Sequence, residues 1–195
     1  MKKLIGSNKN RTAVFISGTG TNLKNLIKFS KKKESPISIN LIISNKKKAI
    51  GLKYAKKYKI EKKIISFSEP KKSEKKILKL LVKKKINLIC LAGFMKILSK
   101  NFTKGFRGKI INIHPSLLPK YKGLNTHKRV IKNKEKYSGA TVHLVSEKLD
   151  SGKIILQKKV RVLKNDNELS LTKRVLKVEN LIYPEAIIKY INSIL

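Results

Sequence analysis

Thr12-Ala13-Val14-Phe15-Ile16-Ser17-Gly18-Thr19-Gly20-Thr21-Asn22-Leu23 changes character twice within one short stretch. Thr12 to Ile16 is a continuous apolar run, the pattern of a strand buried on both faces. Ser17 to Asn22 is a turn of small residues. From Leu23 to Lys32 the period lengthens, with Leu23, Leu26 and Ile27 on one helical stripe. Strand, tight turn and helix in that order form half of a βαβ unit, which predicts a parallel sheet. The turn also has a chemical reading. Gly18 and Gly20 permit close approach of a ligand, and free N–H groups at a helix N-terminus favour a phosphate. The third glycine of a dinucleotide fingerprint is missing, since Leu23 occupies its place. A monophosphate therefore fits better than NAD.

The same alternation continues outward. Strands are expected at Ile37–Ile43, Lys63–Phe67, Ile86–Ala92 and Lys109–Ile113, and helices at Ala49–Lys57, Ser73–Lys85 and Leu124–Asn133. Thr141–Val145 and Lys153–Val162 follow as two strands joined by the short link Ser146–Gly152, which predicts antiparallel pairing. Asp166–Asn180 and Glu185–Ile194 read as two closing helices separated by Pro184. The expected architecture is α/β: a Rossmann-like, doubly wound, mainly parallel sheet with an antiparallel C-terminal strand pair. One domain is expected over residues 1–195, with a loose segment at 1–10.

Composition narrows the class. Hydrophobic residues make up 41% of 195, enough for a sizeable core and too many for a disordered chain. No apolar stretch is long enough to cross a membrane, and no signal core follows Met1-Lys2-Lys3, so a cytoplasmic protein is expected. Cys90 lies in an apolar run and reads as a core residue. The net charge is +37, yet only five of the 48 basic residues are arginine. Nucleic-acid surfaces recruit arginine for bidentate contacts, whereas these lysines are spread along the whole chain. Lys, Ile and Asn share A/T-rich codons, so base bias accounts for the composition without a nucleic-acid partner. The positive field is still suited to steering phosphorylated substrates.

Asn112-Ile113-His114-Pro115-Ser116-Leu117-Leu118-Pro119 holds the densest chemistry. Residues i and i+2 of a strand share a face, so Asn112 and His114 point into one pocket, and Pro115 ends the ladder. His143 reads as a core or sheet-face residue. His127, near a helix start, is open between substrate contact and capping. Asp150 is one of only two aspartates and lies in the turn Leu149-Asp150-Ser151-Gly152. It either accepts N–H groups of its own turn or reaches His114, where a carboxylate favours the protonated ring. No metal-ligand set and no nucleophile elbow is evident.

Several segments together resemble the phosphoribosylglycinamide formyltransferases. They are Ile16–Leu23, Leu91–Ser99, Ile111–Tyr121, Gly139–His143, Leu149–Gly152 and Ile155–Gln157, in order along the chain. The resemblance implies the formyltransferase fold and transfer of a formyl group from 10-formyltetrahydrofolate to the amine of 5-phosphoribosylglycinamide in purine synthesis, with no metal. It implies a ribonucleotide site at Gly20, Thr21, Asn22 and Glu179. The implied folate site is Met95, Lys96, Ile97, Leu98 and Asn112, and the implied catalytic trio is Asn112, His114 and Asp150. Lys96 stands where arginine is usual, Lys122 for proline, Asn125 for histidine, and Asn180 for histidine. A family arginine has no clear match in Glu69-Pro70-Lys71-Lys72, where substitution by Lys71 or Lys72 stays open. Small-molecule substrates are the expected partners, with no specific nucleic acid and no membrane, for a monomer or weak homodimer. The alternatives are a methionyl-tRNA formyltransferase, which normally carries a further C-terminal domain, and a formyltetrahydrofolate hydrolase, which usually carries an N-terminal one. From another class, the alternative is a basic nucleic-acid-binding protein on a degenerate scaffold.

Overall fold

The computed structural model describes residues 9–193. Residues 1–8 of the segment expected to be loose, and Ile194 of the last expected helix, lie outside the described residues. The elements run β1 (Asn10–Ile16), α1 (Thr21–Ser30), β2 (Ile37–Ser44), α2 (Leu52–Lys57), β3 (Lys62–Ile64), α3 (Pro70–Lys83), β4 (Leu88–Leu91), α4 (Lys100–Gly105), β5 (Lys109–His114), α5 (Thr126–Lys132), β6 (Tyr137–Leu144), β7 (Ile154–Arg161) and α6 (Glu168–Asn192).

The seven strands form one sheet in the order β3-β2-β1-β4-β5-β6-β7. β1 to β5 are parallel to one another, and β6 pairs antiparallel with both β5 and β7. The chain steps outward from β1 to β3, then returns to place β4 on the other side of β1. That reversal leaves a crevice beyond the carboxyl ends of β1 and β4, the place where open α/β sheets bind ligands.

Alternation along the strands divides the core. Val14 and Ile16 face a cluster with Leu23, Leu26, Val175 and Tyr183, so α1 and α6 cover that side. Ala13 and Phe15 face the opposite cluster, with Ile77, Leu81 and Phe102 from α3 and α4. Opposite Thr12–Ala13 the register skips Asn40 of β2, and the side-chain parity of β2 inverts there. Ile39 accordingly joins the first cluster and Leu41 the second.

The structure corrects the sequence reading at several elements. The two closing helices are one helix, α6, with Pro184 inside it. Proline removes the N–H that would bond the carbonyl four residues earlier, that of Asn180. Asn25 of α1 replaces it, donating from Nδ2 to Asn180 O at 2.6 Å. A short helix, α4, which the sequence reading did not contain, follows Ser99, whose hydroxyl caps it by accepting from Phe102 N at 3.1 Å. β3 stops at Ile64; Ile65 still donates its N–H to Ser44 O of β2 at 2.9 Å, and Phe67 fills the core from the loop beyond.

Candidate active site

A cavity of about 560 Å³ opens at the carboxyl ends of β1, β4 and β5. Gly20, Thr21, Asn22, Met95, Lys96, Ile97, Asn112, His114, Asp150 and Glu179 all line it. Leu98 does not. Its side chain is buried with Phe15 and Phe102, and it borders only a smaller neighbouring cavity of about 90 Å³ over Asn112 and His143. The expected folate contacts are thus Met95 to Ile97 at the main cavity, with Leu98 anchoring them from the core.

The wall at β1 is the turn read from the sequence. Gly20 is left-handed (φ 73°), and a Cβ there would lie 2.6 Å from Gly51 Cα. Both the conformation and the contact demand glycine. No side chain caps α1, and its first turn holds no acid. The first-turn N–H groups therefore have no partner within the helix and make a positive end suited to an anion.

At the end of β5, Ile111 and Ile113 go to one core cluster, which leaves Asn112 and His114 to the other face. His114 is buried, and each of its nitrogens meets an acceptor. Nε2 donates to Tyr121 O at 2.9 Å, and Nδ1 lies 3.4 Å from Asp150 Oδ2. The same Oδ2 accepts the N–H of Gly123 at 2.9 Å. Asp150 therefore reaches His114 across the cavity mouth and also ties the 121–125 loop to its own turn. Its backbone is left-handed (φ 45°), a conformation aspartate tolerates better than most residues.

His143 sits in the buried sheet, as its place in the strand suggested, but its contact with Asn112 was not foreseen. It is buried directly opposite Asn112 in the β5–β6 ladder. Its Nδ1 donates to Leu144 O at 2.8 Å, so the bare Nε2 accepts from Asn112 Nδ2 at 3.2 Å. Burial holds its pKa below the ordinary histidine range, against the opposing effects of Leu144 O and Asp150. The neutral ring makes no ion pair with Asp150 Oδ1, 3.7 Å away. One Asn112 N–H is thereby fixed on His143, and the second remains for the cavity. The signal available in sequence was register: antiparallel pairing of the two strands brings position 143 opposite 112.

A buried network shapes the loop after His114. Thr141 Oγ1 donates to Ser116 O at 2.6 Å and accepts from Leu118 N, and Gln157 Nε2 donates to Leu118 O at 3.0 Å. This sets the path of the chain from Pro115 to Tyr121, and so the carbonyl that His114 meets.

Glu179 of α6 closes the far wall. Asn22 Nδ2 donates to its Oε2 at 2.6 Å. Burial pushes the Glu179 carboxyl up to about 7, despite that hydrogen bond. Among the described residues Asn22 Oδ1 is buried without a partner, as is Nδ1 of His127, another residue on the cavity wall. Burial also lowers the His127 pKa. Cys90 lies in the core, where burial pushes its thiol up to about 12 and leaves it unreactive. Among the described residues no group of three His, Cys, Asp or Glu side chains could hold a metal ion. No helix among them is long and apolar enough to cross a membrane.

Comparison with known proteins identifies relatives of this arrangement. Residues 10–187 match the formyl transferase family. The chain is 43% identical over 177 residues to the phosphoribosylglycinamide formyltransferase of Haemophilus influenzae, covering 89% of this chain and 84% of that protein. It is 42% identical to the trifunctional purine biosynthetic protein adenosine-3 of Gallus gallus, covering 94% of this chain. The chain spans 14% to 18% of the length of such trifunctional relatives. Among solved structures, phosphoribosylglycinamide formyltransferase from Brucella melitensis superposes with a TM-score of 0.88 at 40% identity, covering 94% of this chain and 96% of that one.

Proposed function

The chain belongs to the formyl transferase family, among the phosphoribosylglycinamide formyltransferases, and we propose that it moves a formyl group from 10-formyltetrahydrofolate to the amine of 5-phosphoribosylglycinamide. The observation that carries the reading is the convergence of Asn112, His114 and Asp150 on a cavity that is also lined by an uncapped helix N-terminus. The donor set suits attack on a formyl carbon. The cavity offers N–H groups to an oxygen that gains negative charge, and an anion site at a distance to hold the nucleophilic substrate.

The ribonucleotide phosphate takes the N–H groups of Gly20, Thr21 and Asn22, and Glu179 orients the glycinamide portion. The exposed side chains of Met95 and Ile97, 57% and 71% exposed, give a flat ring system an apolar seat beside the amide of Asn112. Lys96, on the same segment, offers a charge to an acidic tail. 10-Formyltetrahydrofolate supplies the formyl carbon when bound.

Holding both substrates converts a bimolecular attack into a positioned one. The amine nitrogen forms a bond to the formyl carbon, and the bond to the folate nitrogen breaks. The second N–H of Asn112 and the Nε2–H of His114 donate to the formyl oxygen as charge develops there. To do so, Nε2–H leaves Tyr121 O, while Asp150 keeps its hold on Nδ1. The proton lost by the amine passes to the folate nitrogen through His114 or water. His143 positions Asn112 and touches neither substrate. The small-molecule partners and the absence of a metal requirement are part of this proposal, as is the role of each residue.

His114→Ala is the test. We expect loss of formyl transfer by a factor on the order of a hundred or more, with ribonucleotide affinity near that of the unaltered protein. Turnover equal to that of the unaltered protein would remove His114 from the mechanism.

A further inference from the structure

One buried hydroxyl joins the two loops to which the substrates are assigned. Ser17, the residue between β1 and Gly18, is 4% exposed and does not line the cavity. Its N–H donates to Gly93 O at 3.0 Å. Its Oγ accepts the N–H of Met95 at 2.8 Å and donates to Asn45 Oδ1 at 2.6 Å. The loops that follow three neighbouring strands, β2, β1 and β4, are thus closed on one side chain.

The hydroxyl is doing something the backbone could not. Any residue at position 17 supplies the N–H for Gly93 O. The N–H of Met95, which leaves β4 through the left-handed turn at Gly93 (φ 75°), takes the Ser17 hydroxyl as its acceptor. On the far side of Ser17 lies the phosphate loop, which is itself pinned by Gly51 N donating to Gly18 O at 3.0 Å. Displacing Met95 relative to Ser17 therefore changes the spacing between the two substrate loops without changing the atoms that either loop presents.

We infer that Ser17 is a positioning residue for formyl transfer: its hydroxyl, oriented by Asn45, sets the separation between the phosphate loop and the Met95–Ile97 segment, and with it the approach of amine to formyl carbon. The inference rests on the function proposed above. Two substrates held on separate loops react at a rate that depends steeply on their relative placement, and a displacement of about 1 Å changes that rate about a hundredfold. Each substrate's own affinity depends on its own loop and changes little.

The experiment is steady-state kinetics of Ser17→Ala, Asn45→Ala, Asn45→Asp and the double variant Ser17→Ala/Asn45→Ala, with both substrates varied. Ser17→Ala is expected to lower kcat about tenfold or more, with KM for each substrate within about threefold of the unaltered protein. Asn45→Ala lowers kcat less, Asn45→Asp restores it because the carboxylate still accepts the hydroxyl proton, and the double variant is no slower than Ser17→Ala. An unchanged kcat in Ser17→Ala, a loss confined to KM, or multiplying losses in the double variant would overturn the assignment. Should Ser17→Ala fail to fold, Asn45→Ala and Asn45→Asp decide alone, and equal rates in those two overturn it. If the unaltered protein transfers no formyl group, the proposed function itself falls. If it transfers and Ser17→Ala matches it, only this inference falls.

Discussion

Glu179 carries a buried carboxyl group, and among the described residues Asn22 is its one hydrogen-bonding partner. Burial raises its folded-state pKa to about 7 from 4.5. The folded protein therefore binds this proton more tightly than the unfolded chain. The stability it contributes is fully present below pH 4.5 and is lost as pH rises to about 7, a change of about 3 kcal/mol at 1.36 kcal/mol per unit. Glu179→Gln keeps the acceptor for Asn22 and removes the charge. We expect the ligand-free variant to be more stable than the unaltered protein at pH 8 and equal to it near pH 4.5, as read by urea denaturation at the two pH values. Beside it, Asn22 Oδ1 is a buried acceptor without a partner among the described residues. Asn112 and His114 were legible as a pair because strand parity alone places them together. The reach of Asp150 to His114 was not, because it is set by the 149–152 turn and by the left-handed backbone of Asp150 itself.

At the scale of elements, the errors share a cause: a local rule overridden by a distant partner. Pro184 breaks helices when nothing replaces the missing N–H, and here Asn25, far away in sequence, replaces it. Asn25→Ala is expected to destabilise the protein by about 1 kcal/mol through the lost hydrogen bond. Pro184→Ala in that background restores an N–H for Asn180 O and should recover part of the loss, measured by urea denaturation of the two variants. A similar explanation holds for α4, with six residues and one buried side chain, Phe102. Its cap Ser99 is held by Glu74 of α3, whose Oε1 accepts from Ser99 N at 2.7 Å. Periodicity cannot reveal a helix that short. β1 and β5 were legible because their apolar runs are buried on both faces. β6 begins at Tyr137, earlier than its alternation suggested, because Ser138-Gly139-Ala140 packs by smallness: a Cβ on Gly139 would lie 2.2 Å from Lys158 O.

At the scale of the molecule, strand order decides where chemistry sits. The reversal between β1 and β4 assembles loops from distant parts of the sequence into one rim; the alternation of elements pointed to a doubly wound, mainly parallel sheet, while the strand order itself is set by tertiary packing. The charge has a different consequence. A net charge of +37 surrounds a cavity proposed to take two anionic substrates. Exposed charges steer over about 10 Å at 0.1 M salt and less at higher salt. Raising salt from about 0.05 to 0.5 M is expected to lower kcat/KM for the ribonucleotide several-fold while kcat stays nearly constant, since capture and not the positioned reaction feels the field. Steady-state kinetics across that range is the check.

The most direct measurement is to mix the purified protein with 10-formyltetrahydrofolate, with and without 5-phosphoribosylglycinamide, and follow both the folate and the ribonucleotide by mass. One formylated ribonucleotide is expected for each tetrahydrofolate released, with no release without the ribonucleotide. Release of formate in its absence, or no formylated product in its presence, would contradict the proposed function.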